Sequence, residues 1–181
     1  MAFNGQKILP AIKSMKDFEK IVEGEHTFIV ILDMHLSKLA SLKKLAREAG
    51  KKLIIHADLI QGLKSDRAAA EFLCQVIKPA GLISTRAEVL RVAKKNNVLA
   101  IQRVFLLDTL AIETSFQQAK TIKPDIIEML PGILPQWIER VQKETGIDVV
   151  AGGLIESEED VQRAIQAGAS AVTSSNQHLW Q

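Results

Sequence analysis

Eight short runs rich in Ile, Leu and Val recur through the chain: Ile8–Ile12, Phe28–Leu32, Leu53–Asp58, Gly81–Thr85, Leu99–Leu107, Ile126–Leu130, Val149–Ile155 and Ala171–Ser175. They are nearly unbroken rather than alternating, the pattern of parallel strands covered by helices on their outer face. Between them lie segments of helical period with helix punctuation. Ser14 precedes Met15–Val22, with Gly24 as its stop, and Ser37 opens Lys38–Ala49, closed by Gly50. Leu134–Thr145 ends at Gly146, Val161–Ala167 ends at Gly168, and Asp66–Ile77 reads as a further helix. Thr85 with Glu88, and Ser157 with Asp160, stand at capping-box spacing. Eight strands alternating with helices predict an α/β fold, a compact single-domain (β/α)8 barrel of TIM type over residues 1–181. Barrels of this kind usually need about 200 residues or more, so the loops must be short. An open doubly wound sheet is the alternative, and it requires some of the runs to be something other than strands.

Composition sets the remaining bounds. A hydrophobic content of 47% in 181 residues suffices for one substantial core, and no Pro/Gly/Ser-rich linker divides the chain. The single cysteine, Cys74, excludes a disulfide framework and suits a reducing, cytoplasmic setting. The opening MAFNGQKILPAI carries too short an apolar run for a signal peptide, and no segment is suited to span a bilayer. A net charge of +2 permits contact with nucleic acid without demanding it. Aromatic residues make up 4% with no Tyr, which argues against a platform for stacking single-stranded bases.

In a parallel barrel, functional groups gather at the C-terminal ends of the strands. Those ends present a polar ring: Asp33 and His35, His56 and Asp58, Ser84, Thr85 and Arg86, Asp108, Glu128, Gly152 and Gly153, and Thr173 to Ser175. Glu128 is flanked by apolar residues and shares a strand face with Ile126 and Leu130, so its carboxylate needs a cation, donors or a hydroxyl-bearing ligand. A structural Lys or Arg partner answers the same need. His56 and Asp58, two apart, are expected on one side of their strand, suited to acid–base chemistry, metal binding or recognition of hydroxyls; Asp58 as a cap of the following loop is the plainer reading. No zinc-like ligand spacing accompanies them, so neither metal nor cofactor is expected. Arg86 beside two hydroxyls makes a clamp for an oxyanion, or a solvated residue of a helix's first turn.

Gly152–Gly153 at one strand end and Thr173–Ser174–Ser175 at the next let backbone amides close on a phosphate, where barrels often hold one. Asn176 is expected to cap a short terminal helix, Gln177–Trp180. The acidic run Glu156, Glu158, Glu159, Asp160 suits the dipole of its own helix and is expected to face away from the anion. The chain has no G-x-x-x-x-G-K-[ST], H-E-x-x-H or G-x-S-x-G motif, and no nucleophile is paired with an evident base.

Several blocks, in order along the chain, resemble the glycerol-3-phosphate-responsive mRNA antiterminators of bacterial glycerol uptake operons. They are Ile8–Ile12 (ILPAI), His56–Ile60 with Gly62–Leu63 and Lys64, Gly81–Arg86, Gln102–Asp108, Ile127–Gly132, Ala151–Ile155, and Ser174–Ser175 ahead of Leu179–Trp180. The resemblance implies a barrel that binds glycerol 3-phosphate and stabilises a leader mRNA against termination, without catalysis. On that footing the Gly152–Gly153 and Ser174–Ser175 ends would hold the phosphate with Arg86 or Lys64, and His56, Asp58 and Glu128 would meet the glycerol hydroxyls.

RNA contact would fall on Lys43, Lys44, Arg47, Lys51 and Lys52, beside Lys38, with Arg91, Lys94 and Lys95 further on; solvated outer helix faces explain the same charges. The alternative function is a phosphate-binding barrel enzyme acting on a small triose-phosphate-like substrate, with His56, Asp58 and Glu128 as acid and base. A sensor working through a protein partner is a third. Leu59–Asp66, with Gly62 as hinge, is the expected lid, Trp137 is expected in the core, and a homo-oligomer is left open.

Overall fold

A computed structural model describes residues 3–181. Each apolar run supplies a strand: β1 (Ile8–Ile12), β2 (Phe28–Ile31), β3 (Lys52–His56), β4 (Gly81–Ser84), β5 (Leu99–Phe105), β6 (Ile126–Leu130), β7 (Asp148–Gly152) and β8 (Ala171–Ser174). Consecutive strands pair in parallel, and β8 returns to β1 to close the barrel, with Leu9 beside Thr173 and Pro10 beside Ser174. Among the described residues, seven α-helices surround it: α1 (Met15–Ile21), α2 (Leu39–Glu48), α3 (Arg67–Phe72), α4 (Ala87–Lys95), α5 (Thr109–Ile122), α6 (Pro135–Thr145) and α7 (Glu158–Gln166).

Strand alternation divides the apolar residues into a lumen and an outer layer. Leu9, Ala11, Val30, Ile54, Ile83, Ile101, Ile126, Val150 and Ala171 fill the lumen, with Phe3 and Phe28 packed edge to face at 5.4 Å. Gln6 fixes the segment after Phe3 by bonding to Thr27, Phe28 and Ile8 backbone, so the N-terminal end of the barrel is plugged. The opposite parity packs beneath the helices: Ile29, Ile31 and Ile55 belong with Leu39, Leu42 and Ala46 of α2 to one outer cluster. Each fully buried residue of this kind contributes about 1.5–3 kcal/mol.

Strands β3, β5 and β7 stop before the apolar runs do, because the loops that follow also bury apolar side chains such as Ala57 and Ile155. Ser14 caps α1, and Ser157 and Asp160 form the full capping box of α7, where bonds from Arg163 and Ser157 hold the Asp160 carboxyl down at about 2. Thr85 does not cap α4: its hydroxyl donates to Asp58 at 3.1 Å, and Arg86 occupies the cap position without a side-chain bond. Before α2, His35 rather than Ser37 is the cap, accepting the Ser37 N–H at 3.1 Å to open a short 3-10 turn. The segment Asp66–Ile77 is α3 followed by a π-helical turn, Leu73–Ile77. Asp108 caps α5 through the Ala111 N–H at 2.8 Å.

Candidate functional site

One step further along the lumen-facing parity, the side chains change character. Ile54 is followed by His56, Ile101 by Arg103, Ile126 by Glu128, Val150 by Gly152 and Ala171 by Thr173. An apolar lumen therefore ends in a polar layer at the C-terminal mouth.

Glu128 is 1% exposed and accepts on both oxygens, from Arg103 Nε at 2.7 Å and from Thr173 Oγ1 at 2.9 Å. Glu128 is thus ion-paired, and it also stands in the lining of the mouth. Gly152 makes the geometry feasible, since a Cβ there would lie 2.5 Å from Thr173 Oγ1 and 3.1 Å from Glu128 Oε1. Gly132, in the turn after β6, is needed for close approach too: a Cβ there would sit 2.8 Å from the Gly152 backbone nitrogen.

His56 is 2% exposed, and among the described residues neither ring nitrogen has a hydrogen-bond partner. Burial first, then the Arg103 charge, pushes its imidazole down to about 4 against the opposing pull of Glu128 and Asp58. Asp58 does not share its strand face, because β3 ends at His56 and Asp58 lies in a 3-10 turn. Its carboxylate turns to the end of β4 instead, accepting from Ser84 Oγ (2.6 Å), Thr85 N–H (2.8 Å) and Thr85 Oγ1.

Above the polar layer opens a cavity of about 850 Å3 lined by Lys13, Asp33, Arg103, Glu128, Gly153, Leu154, Glu156, Thr173, Ser174, Ser175 and Asn176 among others. Of the polar ring singled out in the sequence, Asp33, Glu128, Gly153, Thr173, Ser174 and Ser175 come together here. Arg86, Lys64, His56, Asp58 and Gly152 are not in its lining. Gly153 (φ 75°) and Leu154 (φ 60°) are consecutive left-handed residues, unusual for a bulky side chain, and Leu154 is 61% exposed at the rim. Neither of their amides donates to a backbone carbonyl among the described residues.

The Ser174 hydroxyl donates its proton to the Ile155 carbonyl and accepts the Asn176 N–H. Asn176 caps the terminal turn Gln177–Trp180 through the His178 N–H. Glu156, expected to face away, instead stands in the lining, because it precedes the Ser157 cap and is not yet on the helix. Arg103 and Lys13 were missed in the sequence; the available signal was a charge two residues beyond a lumen-facing Ile or Ala.

The loop Leu59–Asp66 is tied to the preceding βα loop by Leu36 N–H to Gln61 O, Gln61 N–H to Met34 O (both 2.9 Å) and Gln61 Nε2 to Asp33 (2.7 Å). Trp137 is half-buried rather than core, with the Arg140 guanidinium 4.6 Å above its ring.

At the other end of the barrel, Lys43, Arg47, Lys51 and Lys52 line a groove of about 740 Å3 together with Lys78 and no carboxylate. Lys43 donates to the Val76 carbonyl at 2.6 Å, Lys51 donates to the Gly24 carbonyl, and Lys52 lies 5.2 Å over the Phe28 ring. Lys44 is exposed on α2 outside the groove. Among the described residues, no three His, Cys, Asp or Glu are grouped to hold a metal, and no helix is long and apolar enough to cross a membrane.

The family model described as glycerol-3-phosphate responsive antiterminator matches residues 8–180. The chain belongs to this family. A solved structure of a glycerol uptake operon antiterminator regulatory protein from Listeria monocytogenes is 45% identical and superposes with a TM-score of 0.96 over 99% of this chain and 97% of that one. An antiterminator-related protein from Thermotoga maritima is 28% identical, with a TM-score of 0.85 over 97% and 98% of the two chains. An uncharacterized Escherichia coli protein, YgcP, is 31% identical over 173 residues, 96% of this chain and 91% of its own. As a member of the antiterminator family, the chain carries this polar mouth on a closed eight-stranded barrel.

Proposed function

We propose that the chain senses glycerol 3-phosphate at the C-terminal mouth and binds the leader mRNA of glycerol-utilisation operons, stabilising it against termination. The observation that carries the reading is the joining, in one cavity, of a buried polar pole to a left-handed glycine turn. Glu128, Arg103 and Thr173 offer acceptors and donors for the glycerol hydroxyls. The amides of Gly153 and Leu154 and the exposed Ser175 end suit the phosphate. Gly152 and Ser174 act by shaping this surface, the first by leaving space and the second by tying β8 to the loop before α7. His56 and Asp58 support the pole from the lumen and from the end of β4.

Asp58 and Glu128, the carboxylates that the enzyme reading invokes as acid and base, accept from protein donors, and the His56 imidazole is desolvated, which favours a binder over an enzyme. The carboxylate-free groove lined by Lys43, Arg47, Lys51 and Lys52 suits RNA phosphates, recognised through backbone and shape. Retention of labelled leader RNA on the immobilised protein, with and without glycerol 3-phosphate, tests the proposal. Retention that rises with the ligand is expected. Retention blind to the ligand, or none in either condition, would overturn it.

A further inference from the structure

With Arg86 and Lys64 outside the cavity, its lining brings two cations, Lys13 and Arg103, against three carboxylates, Asp33, Glu128 and Glu156. Arg103 is committed to Glu128 at 2.7 Å. Among the described residues, Asp33 accepts only from a neutral donor, the Gln61 amide. A phosphate dianion entering here therefore meets Asp33 and Glu156, and Lys13 is the remaining counter-charge.

Lys13 follows β1 directly and continues the parity of Leu9 and Ala11, whose side chains fill the lumen. Strand β1 closes the barrel against β8, with Pro10 beside Ser174. Lys13 thus emerges at the closing seam, where it lines the cavity together with Ser175 and Asn176. Its backbone is anchored: the Lys13 N–H donates to Asp17 Oδ2 at 3.2 Å, and Ser14 caps the helix that begins beyond it. Its ammonium enters no ion pair among the described residues. A fixed stem bearing an uncommitted, mobile point charge is a chemistry well matched to phosphate oxygens.

We infer that Lys13 is the residue that selects a phosphate monoester at this mouth, its ammonium pairing with the dianion opposite the Gly153–Leu154 turn. The inference rests on the ligand reading above and adds the charge that makes it specific. Calorimetric titration of the full chain with glycerol 3-phosphate and with inorganic phosphate tests it, in the wild type and in Lys13→Met, Lys13→Arg, Arg86→Met and Lys64→Met. Lys13→Met is expected to weaken both ligands by about tenfold to a hundredfold, and Lys13→Arg to retain most of the affinity. The deficit should shrink as pH falls through about 6, where the phosphate loses its second charge, a dependence that a purely structural lysine would not impose.

Wild-type binding that persists unchanged in Lys13→Met overturns the assignment alone, as does a loss that follows Arg86→Met or Lys64→Met instead. No binding by the wild type removes the ligand reading and Lys13 with it.

Discussion

Glu128 and Thr173 meet across a strand that neither belongs to: their 2.9 Å hydrogen bond joins β6 to β8 over Gly152 of β7. The bond depends on there being no side chain between them. Placing a Cβ 2.5 Å from Thr173 Oγ1 and 3.1 Å from Glu128 Oε1, Gly152→Ala must separate the two. The expected cost is about 1.5–3 kcal/mol, the worth of a hydrogen bond to a charged group. Thr173→Val removes the same bond without the clash, so urea unfolding should show strong non-additivity when the two are combined. Additive losses would mean that Gly152 acts through something other than this bond.

Arg103 carries the complementary prediction. The Arg103–Glu128 pair is buried, with side-chain exposures of 12% and 1%, and removing one partner strands the other. Arg103→Met should destabilise the protein by about 3–5 kcal/mol in denaturant unfolding. Adding Glu128→Gln should restore part of that loss, since a neutral amide tolerates the site better than an unpaired carboxylate. A double variant no more stable than Arg103→Met would show that the arginine contributes packing rather than charge.

His56 gives a pH-dependent prediction with a definite sign. Its folded-state pKa, about 4, lies below the ordinary 6.5, so the unfolded chain binds the proton more readily. Stability attributable to this group is therefore complete above pH 6.5 and is lost as pH falls towards 4. The loss amounts to about 3 kcal/mol at most. Comparing urea midpoints of wild type and His56→Asn across that window isolates it from the carboxylates titrating nearby. The variant should decline less steeply, and parallel curves would rule out a buried neutral imidazole.

Much of the architecture was legible because a parallel strand buried on both faces leaves an uninterrupted apolar run. The same property blurred the strand ends, since the loops after β5 and β7 continue with Leu106, Leu107 and Ile155. Helix α5 went undelimited for a related reason: its buried Ile112, Phe116, Ala119 and Ile122 are mixed with exposed Leu110 and many Thr and Gln. The Thr85–Glu88 capping box failed because a distant competitor, Asp58, takes the Thr85 hydroxyl. Glu128 announced itself by a charge amid apolar neighbours, whereas Arg103, its partner 25 residues away, looked like one more basic residue. A pairing set by the closed sheet leaves no local mark.

The cationic groove makes the last prediction, on salt dependence. Each phosphate contact contributes about 0.7–0.9 to the slope of log affinity against log salt, the lower figure for single strands. Lys43 and Lys51 already donate to the Val76 and Gly24 carbonyls, so freeing them for RNA costs a bond each. Arg47 and Lys44 are exposed and enter no ion pair among the described residues. Arg47→Gln should therefore flatten the slope for leader RNA by nearly a full contact, and Lys43→Gln by less. Lys44 lies outside the groove, so Lys44→Gln distinguishes the groove from the helix face: an equal effect there would move the footprint outward onto α2. An unchanged slope after replacing Lys43, Lys44, Arg47, Lys51 and Lys52 together would place the RNA elsewhere on the barrel.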